Sequence, residues 1–245
     1  MPGLNVDRSI EFRNKTKAAN VLGPMQEDKV HFRDDFTDDA LSTDKWLATV
    51  TNHTIAVDHG TYRHCVLFTT DTTDNESSFL ATPLCWEDDL NVIVEARVLM
   101  SDPSETFLGL FLTDATLETT PDTPIDYSGG TLAAAATNAV GIIADGDDTV
   151  NGEGSIVGVG VNGGTLEAAI DSATDWADAK WHTLRIELNP DGDAYFYLDG
   201  VGFGYMATAL TSGTALCVML CVANRGTAAE TVYVDKVEAW QDRET

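Results

Sequence analysis

The chain has 245 residues, of which 40 are acidic and 14 are basic, so its formal net charge is −26 at neutral pH. A surface this acidic repels nucleic acid and anionic membranes, and neither is expected as a partner. The longest apolar runs are too short to span a bilayer, and no charged leader followed by an apolar run opens the chain. We therefore expect a protein made in the host cytoplasm without a signal peptide.

The charge is distributed unevenly along the chain. Residues 1–33 contain six basic and four acidic residues, a net charge of +2, which leaves −28 for residues 34–245. This pattern predicts an N-terminal arm over 1–33 that docks on an acidic partner, although a leader that merely lacks acids would look the same. The basic and apolar residues expected to contact the partner are Arg8, Ile10, Phe12, Arg13, Lys15, Lys17, Leu22 and Phe32.

Short β-branched and apolar runs dominate the first half of the remaining sequence. They predict strands at 46–50, 54–57, 63–68, 78–81, 91–100 and 106–113, the last two long and central. Residues 114–137 are rich in Pro, Thr and Asp. Because loops of this length are usually functional or flexible, we expect an ordered excursion at one end of the fold.

The second half continues the β pattern. Strands are predicted at 139–144, 156–161 and 165–170, and residues 162–164 (Asn-Gly-Gly) are a strong hairpin signal between the last two. Leu184, Ile186 and Leu188 alternate with polar residues in a meander that turns at 189–193, and residues 215–223 form an apolar strand buried on both faces. About twelve strands and hardly any helix predict two packed antiparallel sheets.

Three segments carry a family resemblance. Residues 181–200 (WHTLRIELNPDGDAYFYLDG) resemble the late strands of concanavalin A-like lectin/glucanase and laminin-G-like jelly rolls. Asp34-Asp35-Phe36 followed by Trp46 resembles their opening, and residues 232–240 resemble their closing strand. The resemblance implies an all-β fold, a two-sheet antiparallel jelly-roll sandwich over residues 34–245 with an extended N-terminal arm. It does not imply a function, because such sandwiches host lectins, hydrolases and structural modules.

Catalytic residues of the kind that the resemblance implies are not found. Glycanases of this fold carry paired carboxylates on one strand in a Glu-x-Asp-x-(x)-Glu pattern. The nearest strands here place an arginine beside each carboxylate, Glu95 with Arg97 and Glu187 with Arg185, which indicates ion pairs. No zinc-peptidase motif, nucleophile elbow or phosphate loop occurs either. The prediction is a protein that is not an enzyme.

One acidic loop, residues 145–153, has a composition that suits calcium, which prefers hard oxygen ligands. It matches no EF-hand, and a solvated acidic hairpin tip is the alternative. Residues 71–76 form a weaker cluster with the same alternatives, and no other cofactor is expected. The candidate metal ligands are Asp145, Asp147, Asp148, Asn151 and Glu153.

Aromatic residues near predicted loops are candidates for glycan binding, since lectins stack sugars on aromatic rings. These residues are Tyr127, Trp176 and Trp86, and packing in the core or at its rim is the alternative for the tryptophans. The cysteines Cys65, Cys85, Cys217 and Cys221 form no C-x-x-C pair and are predicted to be buried small hydrophobes.

Two functions are compatible with these features. The first is a bacteriophage virion structural protein, a capsid decoration (cement) or external head protein. Its arm would hold the domain on the capsid exterior by binding the major capsid protein or another virion protein, and copies of the chain would contact one another as a homo-oligomer or lattice. This hypothesis rests on resemblance to lectin-like modules of phage particles. The alternative is a lectin-like carbohydrate-binding module with host glycans as partners.

Overall fold

In the computed structural model, residues 29–62, 64–115, 123–211 and 213–243 are described, and within these ranges the chain forms nineteen strands and no helix. No segment of this part of the chain could therefore cross a membrane as a helix. In chain order the strands are β1 (Lys29–Asp34), β2 (Leu47–Val50), β3 (Thr54–Asp58), β4 (Cys65–Thr69), β5 (Ser77–Ala81), β6 (Trp86–Glu87), β7 (Ile93–Met100), β8 (Thr106–Thr113), β9 (Ile125–Ser128), β10 (Thr131–Ala134), β11 (Ala139–Asp145), β12 (Ser155–Asn162), β13 (Thr165–Leu166), β14 (Ile170–Asp175), β15 (Trp181–Leu188), β16 (Ala194–Leu198), β17 (Val201–Met206), β18 (Ala215–Asn224) and β19 (Thr231–Asp242).

The strands form two antiparallel sheets and one separate hairpin. The first sheet has the order β17-β16-β15-β7-β19-β4-β3, and β1 also pairs with β19. The second has the order β13-β12-β11-β8-β18-β5-β2, with β14 pairing with β12 and β6 with β18. The separate hairpin is β9–β10, within the predicted excursion. The predicted two-sheet antiparallel sandwich is confirmed.

The main core lies between the sheets, where alternate residues of each strand point inward. On β7 these are Val94, Ala96 and Val98, and on β8 they are Leu108, Leu110 and Leu112, all fully buried. The opposite face of β15 carries polar residues, as its alternating burial shows. The first sheet is therefore half solvated, as a period-two sequence predicts.

The outer face of the second sheet is buried as well. A second apolar cluster, including Phe107, Phe111 and Met219, lies there beneath Ile125 and Tyr127 of the excursion. Both faces of β8 are consequently buried along its whole length, and the prediction that 215–223 is buried on both faces is confirmed by β18. The Phe111 ring lies against Gly141, where an added Cβ would stand 2.3 Å from it.

The motif residues of the resemblance act structurally. Asp34 is buried and accepts hydrogen bonds from the Phe36 amide at 3.0 Å and the Trp46 indole at 2.8 Å. Near the other end of the chain, Asp199 lies 2.8 Å from Nδ1 of the buried His182 and accepts the Thr183 amide. Asp34 thus fixes the first described segment to the core, and Asp199 does the same for the strands β15 and β16.

The last part of the predicted arm belongs to the first sheet. Residues 29–34 pair in register with β19, and Phe32 packs edge-on against Trp46 at 5.2 Å between ring centroids. Lys29 and Arg33, which gave the arm its positive charge, form ion pairs with Asp242 and Glu238. Phe32 is therefore a packing residue of the domain itself. The other predicted arm contacts, at residues 8–22, lie outside the described residues.

Two further local predictions need correction. Residues 165–170 were expected to form one strand, but β13 ends at Leu166 and β14 begins at Ile170, because the pairing with β12 is offset by one residue between Val161↔Leu166 and Gly158↔Ile170. Cys65, Cys217 and Cys221 are buried as predicted, whereas Cys85 is exposed.

Candidate functional site

A buried arginine organises the polar end of the second sheet. Arg225, with 3% of its side chain exposed, donates to Asp145 through Nε at 2.8 Å and Nη2 at 3.1 Å. The same Nη2 donates to Asp126 at 2.9 Å, and Nη1 donates to Asn75. Burial by itself lowers the pKa of Arg225, but the charges and hydrogen bonds of Asp145 and Asp126 together outweigh it and raise the pKa above its ordinary value. We call this group, with Asp147 beside it at 3.9 Å, the Arg225 cluster.

The carboxylates of the predicted calcium loop are bound by donors of the protein itself. Besides Arg225, the fully buried Asp145 accepts the backbone amides of Tyr127 at 2.9 Å and Asp147 at 3.0 Å. The interior carboxylate of this loop therefore already has a cation and two amide donors. Since the guanidinium takes the place that an ion would need, the geometry does not support calcium at Asp145.

Asp148, the other buried acid of the loop, is satisfied in a similar way. One oxygen accepts the amides of Val150 and Asn151, and the other accepts the Asn151 side chain, each at 2.9 Å. Asn151 also donates to the Tyr127 hydroxyl at 2.8 Å. Burial, followed by the charge of Asp148, raises the pKa of Tyr127 to about 12. The remaining predicted ligand, Glu153, is exposed at the loop surface.

Tyr127 lines a pocket formed by described residues, whereas the other two predicted sugar-binding aromatics are buried in the core. Trp86 is 2% exposed and donates its indole N–H to Thr82, and Trp176 is 4% exposed and donates to the Lys180 carbonyl. Both indoles are therefore core residues, since their ring faces are covered. Tyr127 is also buried, but it contributes to the wall of a surface pocket.

The hairpin β9–β10 separates two pockets. The Tyr127 pocket, about 500 Å³, is lined mainly by apolar groups and includes Thr131, Leu132, Asn151 and Leu166. On the other side lies the Arg225 pocket, about 330 Å³, whose lining is mainly polar. Its residues come from the start of β5 and the loop before it, from the hairpin and the segment before it, and from the end of β18 and the residue that follows. They include Asn75, Ser77, Thr123, Asp126, Ala133 and Arg225.

The outer face of the first sheet carries the predicted ion pairs, with one change of partner. Arg185 pairs with Glu187 as expected and approaches Glu95 at 3.8 Å. Arg97, however, pairs with Asp235 of β19 instead of Glu95. Because these groups are partly exposed, each pair contributes little to stability.

Several solved structures share this architecture. A Bacillus licheniformis beta-glucanase superposes with a TM-score of 0.59 over 87% of this chain and 98% of its own, at 13% identity. The Emp47p carbohydrate recognition domain gives 0.61 over 89% and 99%, at 10% identity. An endo-1,3-beta-glucanase (laminarinase) from Thermotoga petrophila gives 0.56 over 87% and 97%, at 14% identity. The fold is a concanavalin A-like jelly roll. No protein-family model and no curated protein sequence matches the chain.

These neighbours overturn one prediction made from the sequence. The chain was expected not to be an enzyme, but the structures that share its jelly roll include glucanases and glycosidases as well as a carbohydrate recognition domain. The prediction was wrong because it rested on the absence of sequence motifs, and the jelly roll itself is common to catalytic and non-catalytic domains.

Proposed function

We propose that the chain is a lectin-like carbohydrate-binding module and that the glycan binds in the Arg225 pocket. The fold supports a glycan because its neighbours are glucanases and a carbohydrate recognition domain. The single observation that carries the proposal is this pocket, which holds rigid hydrogen-bonding groups at the edge of a jelly-roll sheet. Its size is at the lower end of the range for small-molecule sites.

The lining of the Arg225 pocket suits a sugar ring. Asn75, Ser77 and Asp126 offer donors and acceptors to hydroxyl groups, and the methyl group of Ala133 offers an apolar surface to the C–H face of a ring. Arg225 holds Asp126 at 2.9 Å, so that this carboxylate is oriented before any ligand arrives. Preorganised polar groups of this kind lower the entropic cost of binding.

The test is a glycan array screened with the full chain, followed by titration calorimetry of the hits. Asp126→Asn should weaken a hit by about 10-fold or more, because a hydrogen bond to a charged group is lost. The matched control is Thr131→Val in the Tyr127 pocket, which should leave the affinity unchanged. A blank array, or loss of binding in the control variant alone, would refute the proposal.

The same titrations should include an assay of hydrolysis, because glucanases share the fold. Asp147 is the group to examine: burial, together with Asp145, Asp74 and Asp126, raises its pKa against the opposing effect of Arg225. An acid with a raised pKa close to a second carboxylate is an arrangement that glycosidases use. Release of reducing ends that Asp147→Asn abolishes would make the module a hydrolase.

We propose virion display as the second candidate, with the capsid exterior as the location. Its support is the apolar set Ile10, Phe12 and Leu22 in a leader that precedes β1. Because Lys29 and Arg33 are used within the sheet, the test deletes residues 1–28 and keeps β1. Loss of co-sedimentation with capsid shells in the truncated chain is expected, and unchanged co-sedimentation, or none with the full chain, would refute this role.

A further inference from the structure

A second polar cluster lies where the β2–β3 turn meets the loop between β4 and β5. It consists of His53, Asp71 and Glu76, whose ligand-type atoms all lie within 4.8 Å of one another. Nε2 of His53 is 3.8 Å from an Asp71 carboxylate oxygen. We call these three residues the His53 cluster. Among the described residues it is the one group of three such side chains close enough to share an ion.

The histidine of this cluster is buried with one nitrogen unsatisfied. Its side chain has 0% of its surface exposed, and Nε2 has no hydrogen-bond partner. Nδ1 lies 3.1 Å from the Ser78 hydroxyl, which in turn donates its proton to the Val222 carbonyl at 3.3 Å. With its proton directed to the Val222 carbonyl, the serine oxygen acts as acceptor, and Nδ1 is assigned as the donor in this contact. The neutral ring therefore presents the lone pair of Nε2 to the acids.

In this arrangement a hydrogen-bond acceptor, Nε2 of His53, lies next to other acceptors, the carboxylate oxygens of Asp71 and Glu76. The lone pair of Nε2 faces the carboxylate of Asp71, and Glu76 stands beside both, without a donor of the protein between Nε2 and the acids. A buried lone pair next to two negative charges is costly unless a cation lies between them.

Hydrogen bonds from neighbouring residues orient both carboxylates. The backbone and hydroxyl of Thr73 donate to the two oxygens of Asp71, each at 2.9 Å. The Asn52 amide donates to both oxygens of Glu76, at 3.0 and 2.9 Å. Hydrogen bonds that orient ligating carboxylates, and a partner for the second nitrogen of a ligating histidine, are the usual support of metal sites.

We propose that His53, Asp71 and Glu76 form a binding site for a divalent transition metal of the zinc class. An imidazole nitrogen with two carboxylates suits zinc, whereas calcium takes oxygen ligands. Zinc bonds of about 2.0–2.2 Å place tetrahedral ligand atoms about 3.4 Å apart. The 3.8 Å separation of Nε2 and Asp71 therefore needs to close by a few tenths of an ångström, and the separations from Glu76, which lie within 4.8 Å, need to close on metal binding as well. Asp71 is partly exposed, with 26% of its side chain accessible, which leaves a route for the ion.

Such an ion would join two connections that both cross between the two sheets. The β2–β3 turn supplies His53 between the second and the first sheet, and the β4–β5 loop supplies Asp71 and Glu76 on its return. Asn224 of β18 already anchors that loop by donating to the Asp71 carbonyl at 3.0 Å. The site is thus largely formed before metal binds, and it does not depend on the proposed glycan pocket.

The test uses the full chain, freed of metal with a chelator and titrated with Zn²⁺ alone by calorimetry. One equivalent should bind with a Kd of about 1 µM or tighter, and His53→Gln should weaken binding by about 100-fold. The matched control is His59→Gln, which removes an exposed histidine 4.0 Å from Asp39. Its affinity should equal that of the original chain. An absence of binding, or equal loss in both variants, would overturn the site.

Three further measurements keep the test informative if the His53 variant misfolds. The double variant Asp71→Asn, Glu76→Gln keeps the buried imidazole and should lose Zn²⁺ binding to the same extent. Co²⁺ should produce visible absorption bands in the original chain that both variants lack. A calorimetric titration with Ca²⁺ at the same concentrations should not show the one-equivalent binding expected for Zn²⁺. Co²⁺ bands that persist in either variant would contradict the assignment.

Discussion

The Arg225 cluster and the His53 cluster are two acid-rich groups with opposite internal chemistry. In the first, Asp145 is completely buried but has a guanidinium and two backbone amides as partners. In the second, a buried imidazole nitrogen faces Asp71 with no donor between them. The acidic loop that resembles a calcium site in sequence is therefore satisfied by an internal cation, whereas in the weaker acidic segment no donor of the described residues lies between His53 Nε2 and Asp71. The supply of donors from distant strands makes this difference.

The largest expected effect comes from removing the internal cation. Arg225→Met should lower the free energy of unfolding by about 3–5 kcal/mol, because it leaves Asp145 buried without its charged partner. Urea denaturation at neutral pH measures it. The control is Arg97→Met, whose pair with Asp235 is partly exposed, and about 1 kcal/mol or less should be lost there. Equal losses of unfolding free energy in the two variants would mean that the Arg225 cluster contributes no more to stability than a surface ion pair, which would contradict the prediction.

A smaller effect is expected at the hydroxyl that completes the predicted calcium loop. Tyr127→Phe keeps the ring but removes the partner of Asn151, and about 1–2 kcal/mol should be lost. The matched control is Tyr205→Phe, where an exposed hydroxyl donates to Asp193 at 3.1 Å. Its change should be about 0.5 kcal/mol or less. Thermal or urea unfolding of both variants provides the comparison, and a larger loss at Tyr205 would contradict it.

The pH dependence of stability should show that one carboxylate of the Arg225 cluster opposes folding. The pKa of Asp147 is raised, chiefly by burial, so the folded protein holds this proton more tightly than the unfolded chain. Its unfavourable contribution grows as pH rises from the unfolded pKa through the folded pKa, and it is complete at neutral pH. Asp147→Asn should stabilise the protein at pH 7 by a few tenths of a kcal/mol, and the gain should vanish below about pH 3.8.

Asp58 provides a control of opposite sign for this experiment. Its pKa is lowered, first by the hydrogen bond from the Gly60 amide, so its ionised form stabilises the fold. That contribution is present above the unfolded pKa and is lost as pH falls through the folded pKa. Asp58→Asn should therefore destabilise at pH 7 and have no effect in strong acid. Stability curves of the two variants that run in the same direction would contradict these assignments.

The smallest effect is expected at the exposed tip of the acidic loop. Glu153→Gln should change the free energy of unfolding by no more than about 0.5 kcal/mol, because the side chain lies at the surface. Millimolar calcium should also leave the melting temperature unchanged within about 1 °C, since a bound ion would raise it by mass action. A calcium-dependent increase that Glu153→Gln removes would restore the sequence-based prediction of a calcium loop.

Much of the fold could be predicted from local sequence. The strand at 106–113 coincides with β8, and the Asn162-Gly163-Gly164 signal lies at the turn between β12 and β13. Period-two alternation predicted β15 and β16, because the side of the sheet that a residue faces follows from its position in the strand and needs no knowledge of distant residues. The break at 167–169 was missed because it follows from a register shift against β12, which depends on the partner strand.

The candidate sites depended on contacts that no local pattern contains. Arg225 meets Asp145 across 80 residues, and the Ser78 proton that decides the state of His53 is directed to Val222, 144 residues away. His53 lies in a predicted turn between two strands, and the acidic segment 71–76 lies in another predicted connection, so the sequence contained both parts of the cluster. Nothing in the sequence showed that the two connections meet or that Nε2 of His53 is buried and unpartnered.

By itself, the sequence determined the all-β class, most strands and the jelly-roll motifs, because alternation and turn chemistry act over a few residues. The tertiary structure decided that the residues after Lys29 complete the first sheet, that Trp86 and Trp176 are core residues, and which acids have an internal cation. These outcomes depend on strand order, which brings distant side chains together and buries them. Burial sets the cost of an unpaired charge or lone pair, so it distinguishes a finished hydrogen-bonded loop from a site prepared for an ion.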